Sequence, residues 1–313
     1  MATYTMGNTG ETLVTASTDD LVYGGSGGDS ITNASGADTI FGDTGNDTIA
    51  ATAVHSLATF RLPSVDPEGA SVSGTFTIAA TASGPDTQQW LFGNGGNDSI
   101  TDGAASDSVF GGIGNDTINS GLGNDLVFGD GGSDSIYSSS GADTIYGGDG
   151  NDSIVANSSA ATQYLFGNAG NDLITSSTAV GADFLFGGAG NDTIINAGGN
   201  DLVYGDDGND SISGTGDQET VYGGSGNDTV SAVGTSTTVG ELLFGNAGND
   251  SIDGGAGKDT IFGGADNDTI SGAAGNDLVY GDDGADTILT GVGADTVYGG
   301  AGNDTVYVTG NTA

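Results

Sequence analysis

The sequence predicts an all-β solenoid whose coil closes every eighteen residues, and three observations predict it. A nine-residue unit recurs along the chain: a bulky residue, a glycine-rich turn, an aspartate and a short apolar strand, as in FGGAGNDTI from Phe186 to Ile194. The aspartates hold the register. Asp98, Asp107, Asp116, Asp125, Asp134, Asp143 and Asp152 are nine apart, as are Asp183, Asp192, Asp201 and Asp210, and Asp250, Asp259, Asp268, Asp277, Asp286, Asp295 and Asp304. Two nonapeptides alternate, one like DLVYGDDG (Asp201 to Gly208) and one like NDSISGTG (Asn209 to Gly216), so the true repeat is eighteen. A short fixed period means units that pack on their neighbours alone.

The register begins near Glu11 and runs through Asp20, Asp29, Asp38 and Asp47. It breaks between Thr48 and Gln88, resumes at Gln89 and continues to Asp304. The expected organisation is therefore N-terminal turns over 1–47, an inserted excursion over 48–88 and the main coil over 89–313. Each half-repeat supplies one short strand, and strand alternation turns its central residue inward. The inward columns are Val22, Ile40, Leu91, Val109 and Val127 on one side, and Ile31, Ile49, Ile100, Ile118 and Ile136 on the other. About fifteen turns at about 4.8 Å each give roughly 70 Å of coil.

Length changes fall on one edge only. Two residues are added between Asp152 and Gln163, two between Asp172 and Asp183, and four between Asp228 and Glu241, and the long insertion follows Asp47. All lie in the turn after the second half-repeat. The turn after the first half never varies, which gives its glycines and aspartate a geometric task.

Composition bounds the chemistry. The 313 residues hold 42 acidic and 2 basic side chains, for a net charge of -40, with 62 glycines and no cysteine. Such acidity excludes nucleic acid as a direct partner, because phosphates recruit Lys and Arg. Acidity of this kind usually means disorder, but the strict period argues for a fold completed by cations. Without cysteine there is no disulfide and no thiolate metal site. The opening MATYTMGNTGETLV has no basic or apolar signal region, and no apolar run is long enough for a spanning helix.

The invariant turns read GGSGGD (Gly24 to Asp29), GGIGND (Gly111 to Asp116), GGDGND (Gly147 to Asp152), GGAGND (Gly187 to Asp192), GGSGND (Gly223 to Asp228) and GGAGND (Gly299 to Asp304). Others place Asp or Asn at the second glycine, residues that tolerate left-handed backbone almost as glycine does. These turns resemble the RTX, or hemolysin-type, calcium-binding repeat G-G-x-G-x-D-x-U-x, and the chain as a whole resembles an RTX surface-layer-type protein. The resemblance implies a right-handed parallel β-roll with calcium, about a dozen ions or more, between stacked turns. It implies metal positions at Gly24, Asp29, Asp47, Asp98, Gly111, Asp116, Asp134, Gly147, Asp152, Asp172, Gly187, Asp192, Asp210, Gly223, Asp228, Asp250, Asp268, Asp286, Gly299 and Asp304. On the second edge the run Asp259, Asp277, Asp295 is the best candidate for a short additional column, with bare turns expected elsewhere.

Calcium chemistry points the same way. The ion takes six to eight oxygens, and two stacked glycine loops supply what one cannot. Carboxylates about 5 Å apart repel by roughly 3 kcal/mol at an effective dielectric near 20, so metal binding and folding should be coupled. The rival reading is that the aspartates only cap turns.

One outward column carries a ring in nearly every turn: Tyr23, Phe41, Phe92, Phe110, Phe128, Tyr146, Phe166, Phe186, Tyr204, Tyr222, Phe244, Phe262, Tyr280 and Tyr298. Its exposed area would exceed that usual for a monomer, so this face is expected to be an assembly face; the bland alternative is stacking along the coil. The opposite sheet is lined by Ser and Thr, a solvated face or, as in some RTX-like adhesins, an ice-binding one. The 48–88 segment, with the only His (His55), is expected as a β-hairpin excursion. No Ser/His/Asp set or HExxH exists, so no enzyme is expected.

The function expected is a secreted, calcium-dependent structural protein that self-assembles at the cell surface as a surface-layer or filament subunit. The alternative is a calcium-stabilised adhesin or ice-binding module, with a cell-surface glycan or another surface protein as partner. Export by type I secretion is what the resemblance implies.

Overall fold

The computed structural model describes residues 2–7, 10–14, 20–25, 28–33, 39–41, 48–51, 58–60, 77–80, 88–157, 161–176, 181–214, 218–232 and 238–310. It falls into two units, Met1–Ala156 and Asn157–Ala313. The described elements are all strands, and every strand pair is parallel, as between Ser108–Ile113 and Leu126–Gly131. In the first unit one sheet runs Ala2–Thr5, Asp20–Tyr23, Thr39–Phe41, Ala58–Phe60, Gln89–Gly95, Ser108–Ile113, Leu126–Gly131, Thr144–Asp149. Its companion runs Thr12–Val14, Ser30–Asn33, Thr48–Ala51, Thr77–Ala80, Ser99–Thr101, Thr117–Asn119, Ser135–Ser138, Ser153–Ala156.

The second unit repeats the plan. One sheet holds Tyr164–Ala169, Phe184–Ala189, Leu202–Asp207, Thr220–Ser225, Leu242–Ala247, Thr260–Ala265, Leu278–Asp283 and Thr296–Tyr298. The other holds Leu173–Ser176, Thr193–Asn196, Ser211–Gly214, Thr229–Ala232, Ser251–Asp253, Thr269–Ser271, Thr287–Leu289 and Thr305–Tyr307. The parallel solenoid with an eighteen-residue turn is thus as expected: Val203 pairs with Val221 and Tyr204 with Tyr222. The number of rungs differs slightly from the fifteen or so expected, because Ala2–Thr5 precedes the aspartate register and Ala58–Phe60 lies inside its break.

That second strand corrects the expected hairpin. Ala58–Phe60 pairs in parallel with Thr39–Phe41 and Gln89–Gly95. Thr77–Ala80 pairs in parallel with Thr48–Ala51 and Ser99–Thr101. Both are rungs of the coil. A strand laid between two rungs satisfies the backbone groups of both its edges, whereas a hairpin would leave the coil interrupted. The remainder of 48–88, including His55, lies outside the described residues.

The core is one inward residue per strand. Val127, Ile136, Ile145 and Ile154 in the first unit, and Leu185, Ile194, Ile261 and Ile270 in the second, are fully buried. Their neighbours in each strand alternate outward, as in the exposed, buried, half-buried, buried order of Leu126, Val127, Phe128 and Gly129. The ring column stacks on itself. From Phe92 to Tyr146 successive centroids are 4.7, 5.1 and 4.9 Å apart and nearly coplanar. In the second unit a stack of the same kind runs rung by rung from Phe166 to Tyr298, with spacings between 4.6 Å at Tyr222–Phe244 and 5.1 Å at Phe186–Tyr204.

Because each core residue touches only adjacent rungs, a truncation cannot be repacked from a distance. Ile194→Ala, between Ile174 and Ile212, is expected to lower the unfolding free energy of the calcium-saturated chain in urea by about 2–5 kcal/mol. Thr193→Ala, on the exposed face beside it, should change it by no more than about 0.5 kcal/mol.

Candidate metal centres

The turn aspartates of the fixed edge are buried from Asp98 on, except on the last rung: Asp98, Asp116, Asp134 and Asp152 in the first unit, and Asp172, Asp192, Asp210, Asp228, Asp250, Asp268 and Asp286 in the second, are at most 3% exposed. The chain direction explains where they point. One residue follows the last glycine, and the next begins the inward-outward alternation of the coming strand, so the Asp side chain enters the corner between the sheets.

The two carboxylate oxygens have separate tasks. Oδ1 accepts the backbone N–H of the aspartate one rung earlier: Asp98 N–H to Asp116 at 2.7 Å, Asp116 to Asp134 at 2.7 Å and Asp134 to Asp152 at 2.7 Å. In the second unit the chain runs from Asp172 through Asp192, Asp210, Asp228, Asp250, Asp268 and Asp286 to Asp304, at 2.8 to 3.2 Å. The inserted residues do not break it, since the Asp172–Asp192 and Asp228–Asp250 bonds span 20 and 22 residues. The capping reading therefore holds for Oδ1, and the cap itself needs the common period because it joins rungs.

Oδ2 is left over. In Asp116, Asp134, Asp192, Asp210, Asp228, Asp250, Asp268 and Asp286 it is buried without a hydrogen bond. It faces a space that only glycine keeps open. A Cβ on Gly111 would stand 2.6 Å from Asp116 Oδ2 and 2.7 Å from the Gly129 carbonyl oxygen of the next rung. Gly187 with Asp192 and Gly205, and Gly223 with Asp228 and Gly245, repeat the arrangement. Backbone carbonyls and one free carboxylate oxygen thus converge between consecutive turns. Such an all-oxygen donor set suits a hard divalent cation. Among the described residues no cluster of three or more acidic or imidazole side chains forms, so an ion here depends on the carbonyls.

Burial is the main influence on these acids. It raises Asp116 and Asp268 to about 6 and Asp134, Asp210 and Asp250 to about 7, against the lowering effect of the N–H bond from the preceding rung. Asp152, Asp192, Asp228 and Asp286 are raised for the same reason. Asp29 is buried and accepts the Glu11 N–H at 2.8 Å, while Asp304, on the last rung, is only half-buried. Gly24, Gly147 and Gly299 occupy the corresponding turn position; Asp47 lies outside the described residues, and of Phe41 only the strand is described.

The second edge also carries buried acids. Asp107, Asp125, Asp143, Asp183 and Asp201 are as buried as the first-edge acids, and Asp107 N–H reaches Asp125 and Asp125 N–H reaches Asp143. What differs is the residue at the first-glycine position. Ser138 Oγ donates to Asp143 Oδ2, and Ser176 Oγ donates to Asp183 Oδ2 at 2.6 Å, so these carboxylates are satisfied by the protein. Gly254 and Gly272 restore the open form: their Cβ atoms would stand 2.8 Å from Asp259 Oδ2 and 2.9 Å from Asp277 Oδ2. Both of those oxygens are buried without a hydrogen bond. The half-buried Asp295 accepts the Asp277 N–H at 3.1 Å and follows Thr290 rather than glycine. Glu241, at an aspartate position, has neither carboxylate oxygen bonded, and burial pushes it up to about 9.

Two features were missed from sequence. The asparagine before many aspartates forms a ladder of opposite sense: Asn209 N–H donates to Asn191 Oδ1, Asn227 to Asn209 and Asn249 to Asn227, each at 2.7 Å. The recurring N-D pair was its signal. The second-glycine position also alternates strictly. Asn94, Asp130, Asn168, Asp206, Asn246 and Asp282 are left-handed at φ 68 to 77°, and Gly112, Gly148, Gly188, Gly224, Gly264 and Gly300 stand on the rungs between. A Cβ on Gly224 would overlap the backbone carbonyl of Asp206, so the rung after each Asn or Asp keeps a glycine here.

A pH dependence follows. Folded, Asp116 and Asp134 hold their protons up to about pH 6–7, whereas in the unfolded chain they release them near the ordinary aspartate value of 3.8. Between those limits the folded state binds more protons, so the metal-free fold loses stability as pH rises. In chelator, acidification from pH 8 to pH 5 is expected to increase β-structure by circular dichroism; a loss of β-structure on acidification would contradict the burial of these groups.

A family profile described as RTX calcium-binding nonapeptide repeat (4 copies) matches residues 7–40, 14–49, 92–127, 128–162, 157–194, 177–203, 195–230, 244–279 and 280–310. No curated protein matches the sequence. Among solved structures, a hyperactive, Ca2+-dependent, beta-helical antifreeze protein from an Antarctic bacterium is 19% identical with a TM-score of 0.36, over 100% of this chain and 85% of that one. The matched stretches take in well over half of the residues and coincide with the rungs and turns described above; the chain belongs to the RTX calcium-binding nonapeptide repeat family.

Proposed function

We propose that the chain is a secreted, non-enzymatic, calcium-dependent structural protein that self-assembles at the cell surface as a surface-layer or filament subunit. The observation that carries the calcium part is the column of buried Oδ2 atoms facing glycine-kept spaces. The ions would be held by Asp98, Asp116, Asp134, Asp152, Asp172, Asp192, Asp210, Asp228, Asp250, Asp268, Asp286 and Asp304, with carbonyls of turn glycines such as Gly111, Gly187, Gly223 and Gly299. Asp259 and Asp277 are the second-edge sites this geometry favours. Asp143 and Asp183, already bonded by Ser138 and Ser176, are not sites in this reading. Bound calcium supplies positive charge where the fold concentrates negative charge. The chain supplies spacing, the exclusion of side chains from the gap, and release of protons from carboxylates that are otherwise held neutral.

The assembly part rests on the ring sheet. Among the described residues its ring column and the column beside it carry no charged side chain, in a chain of net charge -40, the acids Asp130, Asp206 and Asp282 standing at the turn ends of its strands; Trp90, Tyr164 and Tyr298 stand 44, 41 and 53% exposed on it. The rings stack along the coil, which stabilises each unit but leaves their outer edges uncovered. Low calcium inside a cell and higher calcium outside would hold folding until after export. A second reading, an ice-binding or adhesive module, is favoured by the regular Ser/Thr column of Thr193, Ser211, Thr229, Ser251 and Thr269. The irregular column beside it, with Ile195 and Leu289 about 40% exposed, disfavours a flat ordered-water surface.

Electron microscopy of the purified chain distinguishes them. Ordered sheets or fibres with calcium, dispersing in chelator, are expected. Dispersed particles under both conditions, with ice-growth inhibition in calcium, would replace assembly with the second reading.

A further inference from the structure

The ring sheet carries a pattern that the coil itself does not need. Beside the rings runs a second outward column, and in the second unit it reads Leu202, Thr220, Leu242, Thr260, Leu278, Thr296 on six successive rungs. The six are aligned by the strand register. Large and small side chains alternate, so the face is corrugated with a period of two rungs, about 9.6 Å. The core, the aspartate ladder and the ring stack all have a period of one.

Nothing within the coil imposes this alternation. Tyr164, Phe184 and Leu202 are three large residues on successive rungs of the same column, and Tyr164 and Phe184 stack at 4.9 Å. Large next to large is therefore accommodated, and for a lone coil it would bury more apolar area than Leu against Thr. The left-handed turn alternates for an internal reason, the clash of one rung's Cβ with the previous carbonyl. The outward column alternates on the same rungs, Leu beside Asp206, Asn246 and Asp282 and Thr beside the glycines, but since it accommodates large neighbours at Tyr164 and Phe184 the turn clash alone does not dictate its two-rung period.

The occupant is fixed by charge and shape. The ring column and the Leu/Thr column are uncharged, so the surface that covers them must be also, and the rest of this chain's surface, including Asp206 and Asp282 at the turn ends of the same strands, is acidic. A partner must also present ridges and hollows about two rungs apart. The same face of a second copy meets both conditions when shifted by one rung, and the pattern reads alike in both directions along the strand stack. We propose that two copies interlock through this face with a one-rung offset, Leu202, Leu242 and Leu278 of one copy seating over Thr220, Thr260 and Thr296 of the other. Sheet faces packed this way stand about 10 Å apart. The inference rests on the assembly reading above and adds its geometry.

The test is sedimentation of the full chain in calcium, with circular dichroism to confirm folding. The wild type should self-associate, and Thr220→Leu/Thr260→Leu, which fills the hollows without adding charge, should weaken association about tenfold or more. Ser211→Leu/Thr269→Leu, on the opposite sheet, should leave association unchanged. If the hollow-filled variant does not fold, Leu242→Thr removes the central ridge and carries the same expectation. A wild type that associates equally well with its hollows filled, or with the ridge removed, overturns the interlock and leaves assembly standing; a wild type that stays monomeric overturns both.

Discussion

At Asp116, Asp134, Asp192, Asp210, Asp228, Asp250, Asp268 and Asp286 the coil buries a carboxylate at a corner where only one of its two oxygens finds a protein partner. Oδ1 of Asp210 takes the N–H of Asp192, and Oδ2 of Asp210 has none. An unbonded buried carboxylate is costly, and a column of them is costlier because each raises its neighbours, as Asp192 and Asp228 do to Asp210. The chain has two ways to relieve this, a proton or a cation. Near neutral pH the proton is available only in part, which makes the cation a structural component of the fold rather than a passenger.

The differences between the two edges follow from that constraint. Where glycine precedes the aspartate by five residues, the gap beside Oδ2 stays open to an ion. At Ser138 and Ser176 a hydroxyl closes the gap and bonds the oxygen. A corner that needs no ion need not keep two loops in fixed relation, so it can absorb insertions. The lengthened turns all lie on the second edge, while the Asp172–Asp192 and Asp228–Asp250 bonds of the other edge survive the added residues. Glycine content, turn length and carboxylate pairing are thus one decision made at each corner.

Much of this was legible in the sequence because the period is short and the alphabet small. The inward column was readable from strand parity alone, and Ile100, Ile118 and Ile136 are buried on consecutive rungs as the eighteen-residue repeat requires. Less legible was anything that depends on relations between rungs. The Asn191–Asn209–Asn227 ladder is a contact between residues eighteen apart whose side chains look solvated in any single repeat. The rung formed by Thr77–Ala80 could not be read from the aspartate register, since its neighbourhood lacks the motif; only the pairing with Thr48–Ala51 and Ser99–Thr101 reveals it. On the second edge a serine in place of glycine reads only as the lack of a site; that it also bonds the acid, as Ser138 does Asp143 and Ser176 does Asp183, shows only in the folded corner.

The coupling of cation to fold is tested most directly by a calcium titration at pH 8 starting from chelator, followed by circular dichroism and thermal melting. The account predicts little β-structure without the ion and a cooperative rise in both signals as calcium is added. A chain whose spectrum and melting temperature in chelator equal those in calcium would contradict it.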